Sequence, residues 1–309
     1  MGLWVPIALA AALFQSLRTA MQQKLRAHLS VNAAGFVRFA YGLPVALFFL
    51  ILAKAATDAP LPMPGPRFYA LCCVVGLFQI FATNLLIMAF GFRNFAVGTA
   101  YAKTEAAQTA ILAWIVLNER LSPAIWIGIG VGVVGVMTLS LAGRGLRPRD
   151  LLAGTVQPAA LCGLGAGLAF AFTAISIKSA SFAMPGHAVG GGFVVRALFM
   201  LCVTTFLQTL MQGAYMAWRR PEELRAAFRA WRPAALVGAA SAAGSSCWFL
   251  AFTLTAVAPV RAVGQVEVVF TLVLSRFYLR ETLKRSDIAG LMLVVASVLL
   301  IIAAPRLSR

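Results

Sequence analysis

The sequence predicts an all-α membrane protein of ten transmembrane helices, built as two inverted five-helix repeats. Three observations predict it. Hydrophobic residues make up 61% of the 309 residues and charged residues only 11%, against about a quarter charged in an average soluble domain. The apolar residues form continuous runs, not the period-two alternation of a transmembrane β-barrel. Polar residues recur at one constant spacing in the two halves of the chain.

The apolar runs fall at 3–23, 31–53, 68–90, 95–117, 122–142, 152–180, 187–213, 233–253, 258–278 and 286–304. Each is close to the roughly 20 residues that cross a bilayer as a helix. The first run has no basic stretch before it and contains Gln15, Arg18, Thr19 and Gln22, so it reads as a span and not as a cleaved signal. Pro60, Pro62, Pro64 and Pro66 separate the second and third runs. Ser122-Pro123 is a start signal for the fifth, and Ser286 or Asp287 for the tenth. The short GxxxG of Gly128 and Gly132 predicts close helix packing within the chain rather than a dimer seam. In the connection 214–232, Pro221-Glu222-Glu223 starts a short surface helix with Leu224, Phe228 and Trp231 on one face. Its Arg225, Arg229 and Arg232 are placed to meet anionic headgroups. The most polar internal link, 143–150, divides residues 1–146 from residues 147–309.

The halves repeat. Glu105 and Glu267, Thr109 and Thr271, Glu119 and Glu281, and Gly128 and Gly290 are each separated by 162 positions. So are Gln79, Thr83 and Asn84 from Ser241, Ser245 and Ser246. Upstream the offset shortens, and Arg38 pairs with Arg196, and Thr19-Ala20-x-x-x-Lys24 with Thr173-Ala174-x-x-x-Lys178. Five spans is an odd number, so the second copy must insert upside down, the architecture of many secondary transporters.

Composition also excludes functions. The net charge of +17 would suggest nucleic acid in a soluble protein. In a membrane protein it reflects basic loops on one side, so no nucleic-acid partner is expected. Fourteen Lys and Arg lie in the odd-numbered connections and five on the opposite side. That predicts a multi-pass protein of a bacterial-type inner membrane with both termini outside. The five cysteines all lie in apolar runs without ligand spacing and read as small hydrophobes. His28 and His187 are the only histidines. There is no metal motif, phosphate loop or nucleophile set, so neither an enzyme nor a cofactor is predicted.

Asn118-Glu119-Arg120-Leu121 with Gly128 and Gly135, recurring as Arg280-Glu281-Thr282-Leu283 with Gly290, resembles the EamA-type branch of the drug/metabolite transporter superfamily. The resemblance runs through nearly the whole chain. It implies a secondary transporter and leaves the substrate open, because that family carries amino acids, sugars, nucleotide derivatives and drugs.

Of nine acidic residues, only Glu105 and Glu267 lie deep in spans. An ionised group there is costly unless it faces a cavity or a partner. Each is followed one helical turn later by a threonine, Thr109 or Thr271, on the same face. The glutamates are therefore candidates for proton or ammonium binding, and the competing reading is a pair of permanent salt bridges. Arg38 and Arg196 are candidates either as their partners or as holders of a substrate anion. Lys103 stands about 200° around the helix from Glu105, so it cannot bridge to it within that turn. Arg261 shares a face with Gln265, and Gln79 and Ser245 offer neutral hydrogen-bonding groups. Lys178 reads as a snorkelling end residue.

Acids and bases within the spans fit a small zwitterionic or amphipathic, amino-acid-like metabolite moved by alternating access, with the proton as a candidate coupling ion. A cationic drug or metabolite exporter and a lipid or lipid-carrier flippase are the alternatives. The expected partners are a small molecule and the lipid bilayer, with the protein a monomer or homodimer.

Overall fold

The computed structural model describes residues 2–89, 92, 101–142, 157–185, 192–278 and 285–307. Within them the chain forms thirteen helices: α1 (Trp4–Leu25), α2 (Val31–Ala40), α3 (Gly42–Thr57), α4 (Pro66–Ala89), α5 (Glu105–Leu117), α6 (Pro123–Ala142), α7 (Pro158–Phe182), α8 (Gly192–Arg219), α9 (Pro221–Arg229), α10 (Trp231–Leu254), α11 (Val257–Gly264), α12 (Glu267–Tyr278) and α13 (Arg285–Leu307). Six stretches are long and apolar enough to cross a bilayer: α1, α2 with α3, α4, α7, α8 and α10. Shorter apolar helices cover 105–117, 123–138 and 288–304. The expected division at 143–150, the start of the fourth run and Arg280-Glu281-Thr282-Leu283 lie outside the described residues.

Local chemistry accounts for the ends. Ser30 caps α2 by accepting from the Ala33 N–H at 3.2 Å. Asp58 and Asn118 take left-handed backbone conformations, φ 49° and 53°, and end α3 and α5; short polar side chains tolerate that conformation better than other non-glycine residues. Pro44 cannot donate a backbone bond into the turn before it, and the second span divides at Tyr41 into α2 and α3. The predicted side-chain cap at Ser122 does not form. Its carbonyl accepts from Ile125 and Trp126 instead, and its Oγ has no partner. Proline at the first position of α6 already removes one N–H that needed capping.

The packing keeps its pattern when the halves are exchanged. Helix α4 packs on α7, and its counterpart α10 on α1. Helix α5 packs on α7, and α11 with α12 on α1. Helix α6 packs on its own counterpart α13, and α8 on α2 and α3. Gly128 and Gly135 face α13, where an added Cβ would stand 2.6 Å from Ile301 and 2.8 Å from Leu293. The small-residue stripe of α6 is thus an internal seam. Among the described glycines the closest approach to another segment's backbone joins Gly238 of α10 to the kink at Tyr41, whose backbone carbon lies 2.5 Å from where a Cβ would sit.

Phe48, Ile51, Phe81, Ile115, Leu236 and Leu299 are exposed, as a lipid-facing surface requires. Helix α9 forms where it was expected. Leu224 packs on the buried cluster around Phe36, and Asn32 donates to Glu223 at 3.1 Å. The Phe228 ring stands edge-on to Phe36. Trp231 belongs to the next helix, α10.

Candidate functional site

Both glutamates stand at a break in a helix. In the first half, Tyr101 and Ala102 are helical, Lys103 and Thr104 turn, and Glu105 is the first residue of α5. In the second, α11 ends at Gly264, Gln265 and Val266 turn, and Glu267 is the first residue of α12. A carboxylate in a helix's first turn faces the positive end of the backbone dipole. Irregular backbone within a membrane persists only where protein or a polar cavity satisfies it. Here side chains do so. Thr104 Oγ1 donates to the Tyr101 carbonyl at 2.6 Å and accepts from Gln108 at 2.8 Å. Ser16 and Thr271 both donate to the Glu267 carbonyl, at 3.0 and 2.9 Å.

The carboxylates are held by cations from the opposite half. Lys103 Nζ donates to Glu267 Oε2 at 2.5 Å. Gln15 Nε2 donates to the same oxygen at 2.8 Å, and Gln15 Oε1 accepts from the Trp248 indole at 2.8 Å. Arg261 Nη1 lies 2.8 Å from Glu105 Oε1, with its guanidinium over the rings of Trp248 and Phe252 at 4.8 and 5.2 Å. That contact is an ion pair without hydrogen-bond alignment, because Glu105 Oε1 and Arg261 Nε both lack a hydrogen-bond partner. Glu105, Glu267, Lys103, Arg261, Gln15 and Gln265 line one cavity of ≈ 20 Å³, room for about one water. A small-molecule site needs about 300 Å³ or more, so the chamber is closed in this conformation.

A second cavity, of ≈ 10 Å³, is lined by Arg38, Gln79, Gln208, Ser241 and Ser245 among others. Arg38 donates to Thr83 Oγ1 at 2.8 Å, and Gln208 to Gln79 Oε1 at 2.6 Å. Arg18 on α1 is buried, one turn from Gln15 on one side and one turn from Gln22 on the other; Gln22 donates to the Ala34 carbonyl of α2, one turn before Arg38. Gln79 and Ser241 are repeat mates facing one cavity, as are Glu105 and Glu267. Residues related by a repeat can meet in this way only near the axis that relates the copies.

Several expectations are corrected. Arg38 and Arg196 are not the partners of the glutamates, which pair with Arg261 and Lys103. Arg196 lines neither cavity; it donates to the carbonyls of Pro185, Met184 and Ser181 at the end of α7. Thr109 is buried as expected, whereas Thr271 is exposed and turns its hydroxyl to its own backbone. The side chain of Arg276 lies outside the described residues. Lys178 does not snorkel. It donates to the carbonyls of Phe252 and Thr255 at 2.8 and 2.9 Å.

Two functional-looking contacts were not anticipated. Gln15 was legible only as part of a polar stripe, with no sign that it joins Trp248 to Glu267. Glu119 accepts from the Val257 N–H at 2.9 Å and the Ala258 N–H at 3.5 Å, capping α11. Together Lys178 and Glu119 clasp both sides of the turn between α10 and α11. Both side chains of the clasp are repeated residues: Lys178 matches Lys24, and Glu119 matches Glu281.

A model of the EamA-like transporter family matches residues 2–141 and again residues 157–303. The chain belongs to the EamA-like transporter family. It is therefore a multi-pass membrane protein of the drug/metabolite transporter superfamily, a family of transporters and not of enzymes. The first match ends at residue 141 and the second begins at residue 157. No curated protein matches this EamA-like chain. A solved crystal structure shares its fold, with a TM-score of 0.70 at 16% identity over 99% of each chain.

Proposed function

We propose that this EamA-like protein is a secondary transporter of a small zwitterionic or amphipathic metabolite, with ten spans in two inverted repeats and alternating access to a central chamber. The observation that carries this reading is the cavity whose two ion pairs, Lys103–Glu267 and Arg261–Glu105, both join one half to the other. Opening the chamber to either side must rearrange contacts between the halves, and a substrate with charges of both signs can replace them one for one. A cationic substrate finds less support, because both span carboxylates already hold a cation. Glu105 and Glu267 are also the groups on which proton coupling would act.

Uptake into proteoliposomes tests the reading. Saturable uptake or exchange of labelled amino acids is expected, with loss in Glu105→Gln and Glu267→Gln. A pH gradient should drive uptake by the parent protein and not by the double variant. Absence of exchange for every soluble metabolite, with headgroup movement in the same vesicles, would transfer the protein to the flippase class. The inner-membrane orientation with both termini outside predicts that a cysteine at Arg225 is shielded from an impermeant thiol reagent in intact cells, while one at Leu307 is labelled. The reverse labelling would invert the topology.

A further inference from the structure

The chamber is unequally charged. Lys103, Arg261 and the carboxylates Glu105 and Glu267 line the first cavity, Arg38 lines the second, and Arg18 is buried on α1 one turn from Gln15 of the first. The carboxylates are consumed by Lys103 and Arg261. Arg18 and Arg38 remain, 5% and 4% exposed. Neither has a carboxylate within ion-pair distance among the described residues. The Nε of Arg18 has no hydrogen-bond partner, and Arg38 is met by the neutral Thr83 hydroxyl and the Phe39 ring. No other acidic residue lies deep in a span of the sequence.

We infer that Arg18 and Arg38 form an anion subsite between the two cavities, and that the transported metabolite carries acidic groups in excess of any basic one, as an acidic amino-acid-like molecule does. This rests on the transporter reading of the same chamber and narrows its substrate. Arginine stays protonated, so burial cannot be relieved by losing the charge. A guanidinium presents paired N–H donors that match a carboxylate or a phosphate. A zwitterion of zero net charge leaves the excess of two positive charges unchanged, a cation increases it, and each added acidic group reduces it, so that a dianion cancels it. Arg18 lies on the same helix as Gln15, three residues on, and Gln15 lines the first cavity. Arg38 lines the second. An anion between them keeps contact with both groups.

The test uses the purified full-length protein in sodium chloride, with thermal unfolding followed against succinate, glycerol 3-phosphate, alanine and tetraethylammonium. The first two separate a carboxylate preference from a phosphate preference. A saturable rise in melting temperature of about 3 °C or more is expected with at least one dianion and not with alanine or tetraethylammonium. Arg18→Gln and Arg38→Gln should each weaken that response at least about tenfold. Arg18→Lys, which keeps the charge and loses the planar fork, should retain part of it, so a misfolded glutamine variant does not decide the matter. Equal shifts with alanine, a shift with sodium chloride alone, no shift with either dianion, or arginine variants that respond like the parent would each overturn the subsite. Uptake into proteoliposomes separates this from the broader reading. Alanine exchange without dianion exchange retains the transporter and removes the anion subsite. Dianion stabilisation without any exchange retains the subsite and removes the transporter.

Discussion

Glu105 and Glu267 occupy equivalent positions in the two halves and live in different surroundings. Both begin a helix just after a break, so the backbone treats them alike. Their neighbours do not. Two residues before Glu105 stands Lys103, and two before Glu267 stands Gln265. Lys103 crosses to the other half and bonds Glu267. Gln265 has a buried amide whose two polar atoms find no partner. Glu105 is served by Arg261, which approaches with poor hydrogen-bond alignment but over two aromatic faces. The two copies therefore share the backbone of the site and differ in the charges around it.

The largest effect should follow loss of Arg261. Arg261→Met leaves the Glu105 carboxylate buried without its cation, and removing one member of a buried pair costs about 3–5 kcal/mol. The Glu105→Gln/Arg261→Met double variant should recover much of that, which a double-mutant cycle on chemical unfolding will show. Lys103→Met should cost less, about 1–3 kcal/mol, because Gln15 still donates to Glu267 and Lys103 is 20% exposed in its side chain. Equal costs at Arg261 and Lys103 would erase the asymmetry between the glutamates. Gly132→Ala places a Cβ 2.6 Å from Ser297 Oγ and still closer to Gln265 Oε1. Overpacking of this kind costs about 1–3 kcal/mol, and Gln265→Ala in the same chain should relieve most of it. Gln265→Leu alone should change the melting temperature least, within about 1 kcal/mol, since no hydrogen bond is lost. A large loss there would show that the amide is bonded in the working protein.

Much of this was legible in the sequence because a membrane enforces continuous apolar runs. The start of α10 was expected at 233 and lies at Trp231; the start of α9 at Pro221 was read correctly from its proline and acidic pair. The glutamates stood out because charge is scarce in spans. Their partners did not, since pairing depends on which faces of different helices meet. Arg38 and Arg196 were candidates either as partners or as holders of a substrate anion, on their repeat position and their charge within a span. The structure sets Arg38 beside Thr83 and uses Arg196 to tie the end of α7. The breaks at Lys103-Thr104 and Gln265-Val266 carry no proline at the turn, so neither was visible in advance. The first is held by local side-chain bonds of Thr104 and Gln108, and the second by the tertiary bond from Ser16 to the Glu267 carbonyl.

The clasp on the turn between α10 and α11 bears on how the chain is made. Phe252 and Thr255 present carbonyls, and Val257 and Ala258 present N–H groups, at a corner where the helices cannot satisfy them. Both side chains that satisfy them, Glu119 and Lys178, precede the corner in the chain and leave the ribosome first. The corner therefore enters a bilayer in which its ligands are already present. The earlier helices, α7 of the second half included, act as a template on which the last ones are laid down, and the order of synthesis matches the order of dependence.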